Sequence, residues 1–384
     1  MTKILLLLIF ALAGTGIVLL QLDIIRKRYQ QKKQRKKQKE KAKGIPLRVI
    51  ARTDMSHQHF SIRLQAVNHQ PLQDFQPGQY ITLLTQTQLD PGKQQKRSYS
   101  LASWQDKTEF YELGIQREEN GQVSRWLHEN LQPGSIINAL PPKGDFFMSP
   151  QAAPHIVLIA GGIGITPLRA MVHKFVAQKP GDLSAVKTLH LFYAARSMDQ
   201  MCYLDELIKL SELHYNFYFY PTLSKIEENW QGDIGRLNSA ELIQQTQRDV
   251  EPFPDKSNIH YYLCGPQNMM DNMTQDLSRL GVSRQHIHSE RFGLNLAATG
   301  DEEFSITLGS NKAFSFQKQR SLLQALEQEG IKIESECRSG ECGQCKIKLR
   351  QGKVKQLIEP DITLASTEFL ACCSVPESDL LIEI

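Results

Sequence analysis

Three cysteines fall inside CRSGECGQC, residues 337–345: Cys337, Cys342 and Cys345, with glycines between them. Cys372 and Cys373 follow in LACCSVP, while Cys202 and Cys264 stand alone far upstream. The C-x4-C-x2-C spacing, with a further cysteine 27 residues on, is close to one that holds a [2Fe–2S] cluster. Four-cysteine zinc is the competing chemistry, but structural zinc usually draws its ligands from two CxxC-like hairpins. A glycine- and serine-rich loop also suits a cluster, whose sulfurs need several backbone N–H donors. Either Cys372 or Cys373 completes the set.

A second group of residues could hold phosphates and a flat ring. In RSYSLAS (97–103), strand alternation puts Arg97 and Tyr99 on one face, Ser98 and Ser100 on the other. A cation for phosphate, an aromatic face for stacking and hydroxyls for a ring edge would together suit a nucleotide-like cofactor. An ordinary strand gives the same pattern. ENGQVSRWLHENL then places Gly121, Gln122, Val123 and Ser124 at the start of an amphipathic helix, where free N–H groups and the helix dipole attract anions. A plain capping role for Ser124 is the alternative.

The clearest phosphate motif is IVLIAGGIGITPLRAMV, residues 156–172. A buried strand ends in Gly161, Gly162 and Gly164, and a helix opens around Thr166 and Pro167. The glycines allow close backbone approach to a nucleotide, and proline suits a first helical turn. CGPQNMM (264–270) ends a later strand, placing Cys264, Gly265 and Pro266 at the carboxyl end, where α/β folds bind ligands. Arg196 and Ser197 close YAARS in the same way, and no acidic residue ends that strand to take ribose hydroxyls.

Three kinds of element must position these groups. Residues 47–150 alternate apolar and polar in short segments (HFSIRLQAV, GQYITLLTQ, FYELGIQ, SIINAL), with turns at QPGQY, DPGK, QPGS and PPKG. That pattern predicts an antiparallel barrel or sandwich. Residues 151–293 carry continuous apolar strands separated by helical stretches such as MCYLDELIKLSEL, a doubly wound α/β domain. NLAATGDEE (294–302) has linker composition, and 303–384 is a small β-rich domain with the clustered cysteines.

The N-terminus is of a different kind. Residues 4–20 are all apolar, Gly or Thr, and the run extends towards Ile25. At helical rise this spans a bilayer, so 1–25 is expected to be a transmembrane helix. Ala11-Leu12-Ala13 resembles a signal-peptidase site, but the apolar run continues past it. Residues 26–43 hold eleven Lys/Arg against Glu40, so 26–46 reads as a basic tether. The positive-inside rule then predicts a single-pass protein of the cytoplasmic membrane, with its catalytic domains on the cytoplasmic side and the tether on anionic lipid. The overall charge of +4, less this local +10, leaves −6 on the remainder, which argues against nucleic acid as a partner.

Taken in order, FQPGQY (75–80), RSYS (97–100), GQVS (121–124), GGIGITP (161–167), YAARS (193–197), LCGPQNMM (263–270), ERFG (290–293) and CRSGECGQC make the chain resemble a known family. It is similar over residues 47–384 to ferredoxin-NADP-reductase-like flavoprotein reductases fused to a C-terminal plant-type ferredoxin domain. That family includes the reductase components of vanillate demethylase, phthalate dioxygenase and phenylacetyl-CoA epoxidase, and the NADH oxidoreductase of the hybrid-cluster protein. The resemblance implies a β-barrel flavin domain, an α/β pyridine-nucleotide domain and a β-grasp ferredoxin domain.

Residue by residue, it implies that Arg97 holds the flavin phosphate, Tyr99 stacks on the isoalloxazine and Ser100 bonds near N5. Ser98 belongs to the same motif. Gly121, Gln122, Val123 and Ser124 would contact a pyrophosphate, favouring FAD. Thr166 and Cys264 would lie near the nicotinamide, with Gly265 and Pro266 shaping its slot. Glu290 and Phe292 match the segment that approaches the flavin, and Cys372 matches the fourth cluster ligand beside Cys337, Cys342 and Cys345.

The expected function is electron transfer by an oxidoreductase, from NADH or NADPH through FAD and a [2Fe–2S] cluster. The acceptor would be a protein such as an oxygenase, hydroxylase or desaturase, and the anchor suggests a membrane-bound one. A redox sensor with little turnover and a reductase of quinone or ferric iron are the alternatives.

Overall fold

The computed structural model describes residues 44–68, 70–85, 95–119, 121–148, 154–178, 186–250, 258–292, 302–309, 312–317, 321–335, 337–340, 342–358, 360 and 362–384. The transmembrane segment expected at 1–25, most of the 26–46 tether and the 294–302 linker (all but Glu302) lie outside them. The expected single-pass membrane location is corrected: no helix among the described residues is long and apolar enough to cross a membrane. The lipid contact and membrane-bound acceptor expected from that segment find no support among the described residues.

Strands β1 (Ile45–Asp54), β2 (His59–Ala66), β3 (Tyr80–Thr85), β4 (Gln95–Ser100) and β5 (Tyr111–Gln116), helix α1 (Gln122–Asn130) and strand β6 (Ile136–Lys143) build the first part. Their sheet runs β4-β3-β6-β1-β2-β5. It curls until its two edges meet at a single antiparallel bridge, Leu101 to Leu113. Alternation drives the curl: Leu47, Val49, Phe60, Ile62, Leu64, Ile81 and Leu83 all point into one core. One turn signal misleads. Pro141 and Pro142, read as a turn in PPKG, lie inside β6. The β3–β6 register shifts between Tyr80 and Thr82, opposite Lys143 and Leu140. An irregularity of that kind accommodates residues that cannot donate to a ladder.

The second part holds β7 (His155–Gly161), α2 (Ile165–Val176), β8 (Thr188–Ala195), α3 (Leu204–Leu213), β9 (Phe217–Leu223), β10 (Asp233–Ile234), α4 (Ser239–Asp249), β11 (Ile259–Cys264), α5 (Gln267–Arg279) and β12 (Ile287–Glu290). All seven residues of β7 are buried, as its unbroken apolar run requires. The parallel sheet runs β10-β9-β8-β7-β11-β12. The chain winds outward from β7 in one direction, then returns to β11 on its other side. The carboxyl ends of β7 and β11 therefore flank the switch point, where a crevice must open.

The third part holds β13 (Phe304–Leu308), β14 (Ala313–Phe316), α6 (Leu322–Gln328), β15 (Lys346–Gln351), β16 (Val354–Gln356), β17 (Glu368–Leu370), β18 (Ser374–Pro376) and β19 (Leu380–Glu383). Its main sheet is ordered β14-β13-β19-β15-β17, with β13 and β19 parallel, and β16 pairs separately with β18. Leu322, Leu323 and Leu326 of α6 pack into a core shared with Ile306, Ile347 and Ile382.

One buried cation fastens the first part to the second. Arg169, on α2, donates from Nη1 to the carbonyl of Ala102 at 2.7 Å and to Glu112 of β5 at 3.1 Å. Its Nε and Nη2 reach the two oxygens of Glu206 on α3 at 2.8 and 2.9 Å. Its guanidinium also lies over the Tyr203 ring, 4.1 Å from the centroid. Arg63 pairs with the other oxygen of Glu112 at 3.0 Å, and His173 with Glu206 at 2.7 Å.

Burial opposes ionisation of Glu206, but its hydrogen bonds with His173 and Arg169 outweigh it and hold the carboxyl down at about 2. A depressed folded pKa contributes stability that is present above the ordinary carboxylate range and is lost as pH falls towards 2. Glu206→Gln is therefore expected to flatten the acid limb of a stability–pH profile; an unchanged limb would rule that out. Arg169→Met, which leaves Glu112 buried with less compensation, is expected to cost about 3–5 kcal/mol by urea denaturation.

Candidate functional site

A cavity of about 310 Å³ opens where the three parts meet. Arg97, Ser98, Tyr99 and Ser100 all line it, although strand alternation puts them on two faces. β4 is an edge strand beside the seam, so its ends and both faces can reach the opening. Ser98 shares a hydrogen bond with Thr82 at 3.1 Å. The Tyr99 phenol is pushed up by burial and stays neutral, an apolar wall with a polar tip.

The phosphate side is built by α1. Its N-cap is Gly121, with no side chain capping the first turn, so the N–H groups of that turn have no capping oxygen. Ser124 lies inside the helix rather than at its cap, and its Oγ accepts the N–H of Glu118 at 3.1 Å. The plain capping role is therefore excluded. A Cβ on Gly121 would fall 2.5 Å from that oxygen, which explains glycine there. Gln122 and Val123 complete this edge of the cavity.

The second part contributes Ile163, Thr166, Glu290, Arg291 and Phe292 to the same wall. Thr166 is buried, with its hydroxyl donated to the carbonyl of Ile163 at 3.0 Å. Ser100 Oγ donates to Glu290 Oε2 at 2.8 Å, a buried bond between β4 and β12. The hydroxyl proton is thus committed to the carboxylate, leaving the Ser100 oxygen as an acceptor towards the cavity. Glu290 is register-paired with Cys264 across β11–β12, so the two strand ends lie side by side.

Gly161, Gly162, Gly164, Pro167, Cys264, Gly265 and Pro266 do not line this cavity. They meet one another at the carboxyl ends of β7 and β11, beside the switch point. Gly162 takes φ +53, and a Cβ on Gly164 would stand 2.3 Å from the Cys264 carbonyl oxygen. The two loops pack as closely as backbones allow. Arg196 and Ser197 sit at the end of β8, away from the cavity. There the sequence reading was incomplete: Ser197 donates to Asp199, and Glu227 comes from 29 residues away to accept the Met198 N–H at 3.0 Å.

The cysteines arrange themselves in pairs. The sulfur of Cys337 accepts the N–H groups of Ser339 and Cys342 at 3.5 and 3.3 Å. The Cys342 thiol, chiefly, and these amides hold Cys337 well below the usual thiol range. Cys345 is raised mainly by its hydrogen bond with Cys372. Cys372 also meets Cys373, and Cys337 acts on both Cys345 and Cys372, so the thiols gather in one region of the loop where they would hold a [2Fe–2S] cluster. Cys373 is fully buried, with its Sγ 3.6 Å from the Leu370 carbonyl.

Cys337, Arg338 and Ser339 also line the 310 Å³ cavity, so the cysteine loop forms part of its wall. Tyr80, Gln116, Glu118, Arg291, Arg338 and Ser339 line it unforeseen. Tyr80, Arg291, Arg338 and Ser339 lay inside quoted motifs, FQPGQY, ERFG and CRSGECGQC, without being singled out. Gly293 of ERFG is outside the described residues.

Comparison with known proteins agrees with this arrangement. Residues 46–148 match the oxidoreductase FAD-binding domain, 158–275 the oxidoreductase NAD-binding domain, and 306–377 the 2Fe-2S iron-sulfur cluster binding domain. The glycine betaine monooxygenase reductase subunit of Chromohalobacter salexigens is 28% identical over 335 residues, covering 80% of this chain and 87% of its own. The carnitine monooxygenase reductase subunit of Escherichia coli is 27% identical over 316 residues, covering 81% and 89%. The structure of phthalate dioxygenase reductase shares the fold, with a TM-score of 0.63 at 23% identity, covering 88% of this chain and 98% of its own.

The thiol pairs generate a direct comparison. Cys372→Ser is expected to abolish or strongly bleach the visible cluster absorbance and lower bound iron. Cys373→Ser should keep both near wild type; the reverse result would exchange their roles.

Proposed function

This chain is an NAD(P)H-dependent oxidoreductase of the reductases that join FAD-binding, NAD-binding and 2Fe–2S domains, and on that premise we propose that its electrons go to an oxygenase component. The reading is supported most by one observation: the cluster loop, β4 and the end of β12 line a single cavity. Electrons entering at the switch-point crevice would leave through the cysteine loop without crossing solvent. The names of the two monooxygenase reductase subunits support the choice of acceptor class. The proposed division is 47–150 for flavin, 151–293 for pyridine nucleotide and 303–384 for the cluster.

A flavin held here would supply the conversion between two-electron chemistry at the nicotinamide and one-electron chemistry at the cluster. The chain's own residues supply position and electrostatics. In this reading Arg97 and the uncapped first turn of α1 hold the phosphates, Tyr99 packs the ring and Phe292 covers it. Ser100, with its proton held by Glu290, presents an acceptor to the ring edge. Thr166 and the Cys264–Pro266 loop orient the nicotinamide, with Gly161, Gly162 and Gly164 admitting its backbone-close approach and Pro167 starting the helix behind. Arg196 and Ser197 flank the adenosine end. Cys337, Cys342, Cys345 and Cys372 would hold the cluster. Proximity alone accounts for much of the rate, because reacting rings held in alignment need no further encounter.

Anaerobic titration with NADH and, separately, NADPH is expected to bleach flavin and cluster absorbance together. A colourless protein indifferent to both nucleotides would sink the reading. Ser100→Ala should slow flavin reduction about ten- to hundredfold in stopped flow, a loss of roughly 1.4–2.8 kcal/mol. Nucleotide binding should stay within a few-fold, and equal losses in rate and binding would deny Ser100 a place at the reacting ring.

A further inference from the structure

Arg338 is an oddity of the cysteine loop. It takes φ +59, a left-handed conformation that a non-glycine residue rarely adopts. Glu327 of α6 holds its side chain, accepting from Nη1 at 3.1 Å and from Nη2. The loop so held lies on the cavity wall with Arg97, which belongs to a different domain. Burial and then the charge of Arg338 lower the Arg97 pKa to about 10, so the two guanidiniums oppose each other.

Glu327 pairs with Arg338 alone, so the two guanidiniums still face each other on a wall that Glu118 and Glu290 also line, beside the uncapped first turn of α1. Like charges facing a half-buried cavity are costly unless an anion lies between them. The same seam carries a second cross-domain pair, Lys96 with Glu334 at 3.4 Å. That pair is exposed and contributes little by itself, but it marks where the two domains meet.

We propose that Arg338 and Arg97 form a two-domain clamp on the phosphate end of the bound flavin, so that flavin binding and docking of the cluster domain strengthen each other. The proposal rests on the reductase reading and adds to it a residue outside the flavin domain. Coupling of this kind is reciprocal: a cofactor held by two domains joins them, and the joined domains hold the cofactor more tightly. It places the cluster loop at the flavin when, and because, the flavin is there.

The test is a binding measurement on the full-length, flavin-depleted protein, with FAD and, in parallel, riboflavin, which lacks the phosphates. Cluster absorbance and iron content serve as folding controls. Arg338→Gln is expected to weaken FAD about five- to twentyfold and to leave riboflavin within about twofold. Glu327→Gln, which removes the offsetting carboxylate but keeps the cation, should bind FAD as tightly as wild type or more tightly. Unchanged FAD affinity in Arg338→Gln, or equal losses of FAD and riboflavin, would overturn the clamp. Should Arg338→Gln shed its cluster, weakened FAD binding in Glu327→Gln overturns it instead, since a merely structural ion pair predicts loss from either side. Wild-type protein that bound neither flavin would remove the reductase reading itself, a different failure from these.

Discussion

The structure turns on a guanidinium that is almost wholly out of water. Arg169 holds a barrel carbonyl, a barrel carboxylate and a carboxylate of the second part's helix α3 at once. Apolar surfaces can slide over one another with small changes in buried area, but a fork of directed hydrogen bonds has one satisfactory geometry. Buried ion pairs are weak sources of net stability, and their better use is to select one arrangement among several. Here the arrangement selected is the angle between barrel and parallel sheet. Thr166 is one turn before Arg169 on the same helix, so the fork also sets how far that helix end enters the cavity.

Each wall of the cavity inherits its place from a different cause. Ser100 arrives at the end of an edge strand, Glu290 at the carboxyl end of a parallel one, and their hydrogen bond crosses between them. The crevice at β7 and β11 follows from the reversal of strand order alone, whatever residues occupy it. The cysteine loop reaches the cavity through its own backbone, with Gly340 at φ +87 and Gly343 at φ +71 turning the chain around the sulfurs. Three parts of the chain thus meet on a volume that none of them encloses.

Much of this was legible in the residues, because motifs such as GGIGITP and CRSGECGQC are local and their chemistry requires their spacing. The continuous apolar run of β7 and the alternation of β2 and β5 were equally local. What escaped the sequence is what depends on distant partners. Pro141 and Pro142 read as a turn until a register shift in a neighbouring strand makes room for them. Glu227 reaches the end of β8 only through the folding of the segment after β9. Arg169 and Arg338 look like ordinary charged residues of a helix and a loop, since nothing nearby in the chain announces that each faces another domain. The N-terminal apolar run shows the opposite hazard: a strong local pattern invited a membrane assignment that no described helix supports.

The barrel is laddered around most of its circumference but is closed at its last joint by one bridge, Leu101 to Leu113. That joint lies next to Ser100, on the strand whose residues face the cavity. In mechanical terms the barrel is a hoop with its clasp at the cofactor site. A hoop opens first at its clasp, so the softest line in the flavin domain and its working surface coincide. A flat group seated beside that joint would stiffen the whole hoop from a single point.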